Sequence, residues 1–250
     1  MNIAVFLAGI SGLIYGSFLN VLLWRLPEGQ GIGGRSHCRS CHHILAWYDL
    51  VPILSFIALR SRCRYCQARI HIRYPIVETV AAITLGIFFA VQQPGLNLES
   101  AITIFILLIL VSLLFFDLFY LVLPDVFVLP AIGVFLIYDI TRIASPLSYF
   151  STALLSAAIF AILYAVSRGK KMGLGDVKLA FLIGLVLGYP FGFLAIVGGV
   201  WLATIAAFFL LIFKKATLQD AIPLGSALAT STILFIIFHY EILPLTIFFR

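Results

Sequence analysis

The stretch "IAVFLAGISGLIYGSFLNVLLW", residues 3–24, decides the fold class. It carries no charge and has the length a helix needs to cross a bilayer, roughly 20 residues. No basic residue precedes it and no small-x-small cleavage site follows it, so it reads as a retained span and not a cleaved signal. The rest of the 250-residue chain has the same character: 63% hydrophobic and only 10% charged, with mean hydropathy +1.15, against about 25% charged in a soluble domain. A soluble core of this length does not need so much apolar surface. The expected fold is an all-α polytopic membrane protein.

Working outward, eight apolar segments follow one another: 3–24, 75–92, 100–117, 126–141, 150–167, 175–189, 191–213 and 222–240. Each reads as a transmembrane helix; 126–141 and 175–189 are short and need tilt or local thinning. The expected domains are a first helix (1–24), a polar insert (25–74) and a membrane core of about seven helices (75–250). No repeat of 20–50 residues is apparent. Fourteen of the 16 basic residues would share one side of eight spans: Arg25, Arg35, Arg39, Arg60, Arg62, Arg64, Arg69 and Arg73 in or beside the insert, then Arg168, Lys170, Lys171, Lys178, Lys214 and Lys215. Only Arg142 and Arg250 fall on the other. By the positive-inside rule the amino terminus is outside and the insert cytoplasmic. The net charge of +6 thus reflects topology. Nucleic-acid binding would want basic, polar and aromatic residues interleaved on an exposed face, and is not expected.

The insert holds all four cysteines. Cys38-x2-Cys41 is followed, after 21 intervening residues, by Cys63-x2-Cys66. Each pair can wrap a metal in a tight turn, and four thiolates suit tetrahedral Zn²⁺. A cytoplasmic location argues against disulfides. Four cysteines leave no open coordination position, so the metal would be structural. His37, His42 and His43 read as solvated neighbours of the ligands. The nearby arginines favour thiolates and can meet anionic membrane lipid. The stretch "WYDLVPILSFIAL" (47–59) is too short to span and reads as a surface-lying or core segment.

Only ten acidic residues exist, so each can be weighed. Glu28 and Asp49 belong to the insert. Glu99, Asp139 and Glu241 fall near outer span ends, and Asp220 starts the last helix. Four remain: Glu78, one turn into the second span; Asp117, ending the third; Asp125, after Pro124, an expected N-cap; and Asp176, opening the sixth in "MGLGDVKLAF" (172–181). With alternating spans, Asp117 and Asp176 reach the same cytoplasmic face. Ionisable residues in spans are functional candidates. Two close carboxylates cannot both ionise easily, so one holds a proton while the other acts as base, which is aspartic protease chemistry. Gly173 and Gly175 are expected to permit unusual backbone conformations and the approach of a substrate backbone. The plainer alternative is a helix cap with a glycine turn. Lys178 is taken with this block.

With these residues in place, the chain resembles the bacterial type IV prepilin peptidases, membrane GxGD aspartic proteases that also N-methylate. "GSFLNVLLWRLP" (16–27) is similar to the family's first-span signature; the paired CxxC motifs, "RCRYC" (62–66) and "RYPIVE" (73–78) to its insert; "DLFYLVLPD" (117–125) and "GLGDVKL" (173–179) to its two aspartate blocks. The resemblance implies Asp117 and Asp176 as catalytic dyad, supported by Gly173, Gly175, Lys178, Asp125 and Glu78, in a peptidase core at 75–250. It implies leader cleavage of prepilins and pseudopilins, of pili or type II secretion, at the cytoplasmic face of the inner membrane. It further implies N-methylation of the new amino terminus from S-adenosylmethionine. No glycine-rich nucleotide loop is visible, so the donor site is built otherwise; Glu78 belongs to it or neutralises Arg73. The chain departs from the family in Phe119–Val122, where polar residues are common, and in "PLGSALAT" (223–230), which lacks a proline. Archaeal preflagellin peptidases share the aspartates but lack the cysteine insert. A transporter or proton pathway would place its acids at the bilayer midplane.

Overall fold

The computed structural model describes residues 3–141, 146–169, 172–213 and 221–242. Arg142, Lys170, Lys171, Lys214, Lys215, Asp220 and Arg250 lie outside the described residues, as do the side chains of Asp139 and Glu241. The regular elements of the described residues are helices: α1 (Ile3–Arg25), α2 (Leu54–Ala58), α3 (Arg73–Gln92), α4 (Leu98–Tyr120), α5 (Asp125–Thr141), α6 (Pro146–Ser167), α7 (Leu174–Leu187), α8 (Phe191–Ile212) and α9 (Leu224–Ile242), with a 3-10 turn at Trp47–Leu50. Every apolar segment is a helix, as expected. Five are long and apolar enough to cross a bilayer: α1, α3, α4, α6 and α8. The expected count of eight therefore rests on the shorter α5, α7 and α9. The stretch 47–59 is the 3-10 turn followed by the five-residue α2.

The chain divides into two compact units, Met1–Ile104 and Phe105–Arg250. In the first, α1 buries Ala8, Gly12, Gly16, Leu19 and Leu23, a stripe at helical spacing, and α3 buries Val77, Glu78, Ala81, Leu85 and Phe88. Gly12 and Gly16 are four residues apart, the spacing of close-packed membrane helices. A Cβ on Gly16 would stand 2.5 Å from Glu78 Cα, so only glycine admits this approach. Asn20 Nδ2 donates to the Tyr74 carbonyl at 3.0 Å, tying the end of α1 to the start of α3.

The insert contains a repeat that the sequence reading did not find. "SHCRSCHHIL" (36–45) and "SRCRYCQARI" (61–70) form the same hairpin 25 residues apart. Cys38 N–H donates to the His43 carbonyl (2.9 Å) and His42 N–H to the Cys38 carbonyl (2.9 Å); Cys63 N–H donates to Ala68 (2.8 Å) and Gln67 N–H to Cys63 (3.0 Å). His42 and Gln67 both take positive φ, 56° and 61°. The bridges His37–Ile44 and Arg62–Arg69 close both hairpins in the same register. The copies share only the pattern S-x-C-R-x-C over ten residues, far shorter than the repeats that make solenoids.

In the second unit, α7 packs against α5, α6 and α8, and α8 against α9. A Cβ on Gly184 of α7 would lie 2.6 Å from Ala153 Cα of α6, so these two helices meet backbone to backbone. Phe116 of α4 and Phe127 of α5 bring their rings to 5.4 Å.

Candidate active site

Asp117 lies within the last turn of α4, which runs on to Tyr120, and is only 5% exposed. An ion so placed needs donors. The Ser226 N–H, at the start of α9, donates to Asp117 Oδ2. Gly225 makes this contact possible: a Cβ there would stand 3.1 Å from Asp117 Cγ and 3.0 Å from Leu123 Cδ1. After α4 the chain turns at Leu121, a non-glycine residue with φ 55°. That turn carries Leu123 back between Gly225 and Gly175, where a Cβ would stand 3.0 Å from Leu123 Cβ. Ser226 and Gly225 were missed in the sequence. The available signal was the glycine one residue into α9, in the block noted only for its missing proline.

Asp176 is half-buried in the first turn of α7. Gly173, the N-cap, donates its N–H to Asp176 Oδ2 at 3.3 Å, the reaching-back half of a capping box, and a helix amino terminus favours a carboxylate there. Asp176 is among the groups whose charge acts on Asp117. The structure thus brings both acids into one electrostatic neighbourhood, on two different helices. The expected role of the glycines needs correction. Gly173 has φ −85° and ψ 154°, open to any residue, and a Cβ on it would make only ordinary contacts. Gly175 is helical. What it supplies is room for Leu123, not unusual conformation.

Asp125 is not the N-cap of α5. Pro124 precedes the helix and its carbonyl accepts from Phe127 N–H at 3.1 Å. The Asp125 carboxylate instead meets Lys178 Nζ at 2.6 Å, pairing α5 with α7 across 53 residues.

Glu78 belongs to the first unit. It is 7% exposed and accepts the Ile53 N–H at 2.8 Å. Among the described residues no ion pair joins it to Arg73. Nη2 of Arg73 is buried without a hydrogen-bond partner.

The Sγ atoms of Cys38, Cys41, Cys63 and Cys66 lie within 4.8 Å of one another, and Cys38 and Cys66 are 3.8 Å apart. That is the edge of a tetrahedron with metal–sulfur bonds of about 2.3 Å, the zinc–thiolate value. Burial pushes the Cys38 thiol up. Hydrogen bonds from the Cys41 and Ser40 backbone, and from Cys63 and Cys41 side chains, outweigh it and bring the thiol down to about 7. The arginines are not the cause: Arg39 lies over the Trp24 ring and pairs with Glu28, and Arg64 lies over Tyr48 and pairs with Asp49. The histidines are not in the cluster; His37 packs edge-on against Trp24, and His43 stacks with Tyr65.

Two aspartates at the ends of apolar helices and a four-thiolate cluster are the arrangement expected of a membrane-embedded acid peptidase. Comparison with known proteins agrees. The profile described as Bacterial Peptidase A24 N-terminal domain matches residues 10–92, and that of the Type IV leader peptidase family matches 104–208. Relatives named prepilin leader peptidase/N-methyltransferase include one from Pseudomonas putida, 31% identical over 89% of this chain and 86% of its own. One from Bacillus subtilis (strain 168) is 31% identical over 90% of each. One from Myxococcus xanthus (strain DK1622) is 36% identical over 74% of this chain, a match that spans 56% of that relative's length. No solved structure matches at comparable significance. The chain belongs to the type IV leader peptidase family, a group of multi-pass inner-membrane enzymes.

Proposed function

We propose that the chain removes the leader of type IV prepilins and pseudopilins with Asp117 and Asp176 as catalytic pair, then N-methylates the new amino terminus. The observation that carries this reading is the electrostatic pairing of a buried helix-end aspartate with one in a glycine-flanked helix start, both inside the family match at 104–208. Both acids stand at helix ends, which suits cleavage at a membrane face better than conduction through the midplane. The distribution of basic residues supports a cytoplasmic location for that face, with the amino terminus outside.

The pair works through two proton transfers in each direction. The ionised carboxylate takes a proton from a water whose oxygen bonds to the scissile carbonyl carbon. The protonated partner gives its proton to the carbonyl oxygen. The tetrahedral diol then collapses: the carbon–nitrogen bond breaks, the amine leaves with the proton taken from water, and the diol proton returns to the partner. The Ser226 N–H steadies Asp117 and the Gly173 N–H steadies Asp176 throughout.

Residues 25–74 act as a module folded around one structural Zn²⁺ on Cys38, Cys41, Cys63 and Cys66, between the first helix (1–24) and the peptidase core (75–250). S-adenosylmethionine, when bound, supplies the methyl group. Arginines of the insert meet anionic lipid. Gly175 and the Asp125–Lys178 pair position the aspartate-bearing segments.

The test is cleavage of a purified prepilin in liposomes by wild type, Asp117→Asn and Asp176→Asn, with mass spectrometry of the product. Loss of cleavage in both folded variants is expected, and wild-type product should gain the mass of one methylene only with S-adenosylmethionine present. Undiminished cleavage in either variant removes that aspartate from the mechanism.

A further inference from the structure

The first unit contains a cavity of about 480 Å³ walled by α1, the insert and the start of α3, within the range of small-molecule sites, roughly 300–1,000 Å³. The peptidase pair lies in the other unit and makes no use of it. We infer that this cavity takes the methyl donor, with the donor's α-carboxylate on the Arg73 guanidinium and its α-ammonium toward Glu78. The inference rests on the N-methyltransferase reading above and deepens it to residues.

Three observations carry it. The first is an unmet need. Of the five arginines lining the cavity, Arg25 donates to the carbonyls of Ile32, Gly33 and Arg35, Arg39 pairs with Glu28 and Arg64 with Asp49, and Arg69 is exposed to water. Arg73 leaves Nη2 buried with no hydrogen-bond partner. A buried guanidinium nitrogen without an acceptor is costly, and a carboxylate is the acceptor its planar fork matches.

The second is the acid five residues further along α3. Glu78 also lines the cavity. The Ile53 N–H donates to its carboxylate at 2.8 Å, and an ionised carboxylate can accept about four such bonds. Arg73 and Glu78 therefore offer a cation and an anion to opposite ends of a zwitterion.

The third is strain beside the cavity, at a residue held by Glu78. Ile53 has φ 60° and ψ −49°, and the Leu54 N–H bonds back to the Pro52 carbonyl. That is a γ-turn of the rare, strained hand, here on a β-branched residue. Its N–H is held by Glu78. Strained backbone persists where the surroundings impose it, commonly at ligand sites.

Binding is the readout, by calorimetry on the full chain with zinc in phosphatidylcholine nanodiscs. Wild type should bind S-adenosylmethionine about 10- to 100-fold tighter than its decarboxylated analogue, the range one charge-assisted hydrogen bond supplies. Arg73→Gln should remove that preference by weakening the natural donor while leaving the analogue unchanged. Zinc content and melting temperature report whether the variant is folded, and the wild-type comparison needs no variant. Equal affinity of wild type for the two ligands overturns the inference, as does an unchanged preference in folded Arg73→Gln. Loss of donor binding in phosphatidylglycerol nanodiscs assigns Arg73 to a lipid phosphate and overturns it too. A chain that methylates product but shows no carboxylate preference keeps the N-methyltransferase reading and loses only this site. One that neither binds nor methylates loses both.

Discussion

The four-thiolate cluster of the first unit and the carboxylate pair of the second are built in opposite ways. The cluster is local and duplicated. Two copies of one ten-residue hairpin, 25 residues apart, each present two thiols, and Arg39 and Arg64 occupy equivalent positions beside an aromatic ring and an acid. The carboxylate site is assembled from distant pieces. Asp117 takes its buried donor from 109 residues away, and Leu123 returns between two glycines that belong to different helices. Backbone turns make the first site; missing Cβ atoms between packed helices make the second.

Predictions follow that contrast, beginning with the largest effect. Asp117→Asn and Asp176→Asn should each lower leader cleavage by about 10²–10⁴-fold or more, the scale of a lost acid or base, while zinc content stays at one per chain. Zinc loss in either variant would mean the sites are not independent. Cys38→Ser and Cys63→Ser hold equivalent places in the two hairpins and should lose zinc together by metal analysis. Full occupancy in either would break the equivalence and the four-thiolate assignment with it. If the fold survives, cleavage should remain.

Smaller effects test the packing of the second site. Gly225→Ala places a methyl 3.1 Å from Asp117 Cγ and 3.0 Å from Leu123. Overpacking of this kind costs about 1–3 kcal/mol, and a fall in kcat of roughly tenfold is expected, with pairing to Leu123→Ala restoring part of it. Gly173→Ala, by contrast, should fold and cleave nearly as wild type, since neither conformation nor space requires glycine there. Smallest is Lys178→Met, which removes an exposed ion pair with Asp125. Such pairs contribute about 0–1 kcal/mol, so the thermal midpoint should barely move.

The helices and their order were legible because apolar runs interrupted by charge are what a bilayer demands of a chain. The cysteines were legible because two C-x2-C turns hold their ligands at short range. What misled was local inference about residues whose partners are remote. Asp125 looked like a cap because it follows a proline, yet its carboxylate is on Lys178. For Glu78 the sequence offered a place in the donor site or a counter-ion role for Arg73, and could not show that it holds the Ile53 N–H. The glycines around Asp176 looked like conformational devices that also admit a substrate backbone, yet neither takes a conformation that requires glycine, and Gly175 makes room for Leu123.

The sequence by itself determined that this chain is an all-helical membrane protein, that four cysteines form one module, and that two aspartates sit at helix ends of one family's motifs. The first two are properties of composition, period and spacing, which act within a few turns of chain; the third comes from the resemblance of two short motifs. Only the tertiary structure decided that Ser226 serves Asp117, that the cysteine module is a duplication, and that Arg73 keeps a buried nitrogen without an acceptor. Each depends on atoms brought together by helix and turn packing, where a missing Cβ or an unanswered donor becomes visible only once the neighbour is in place.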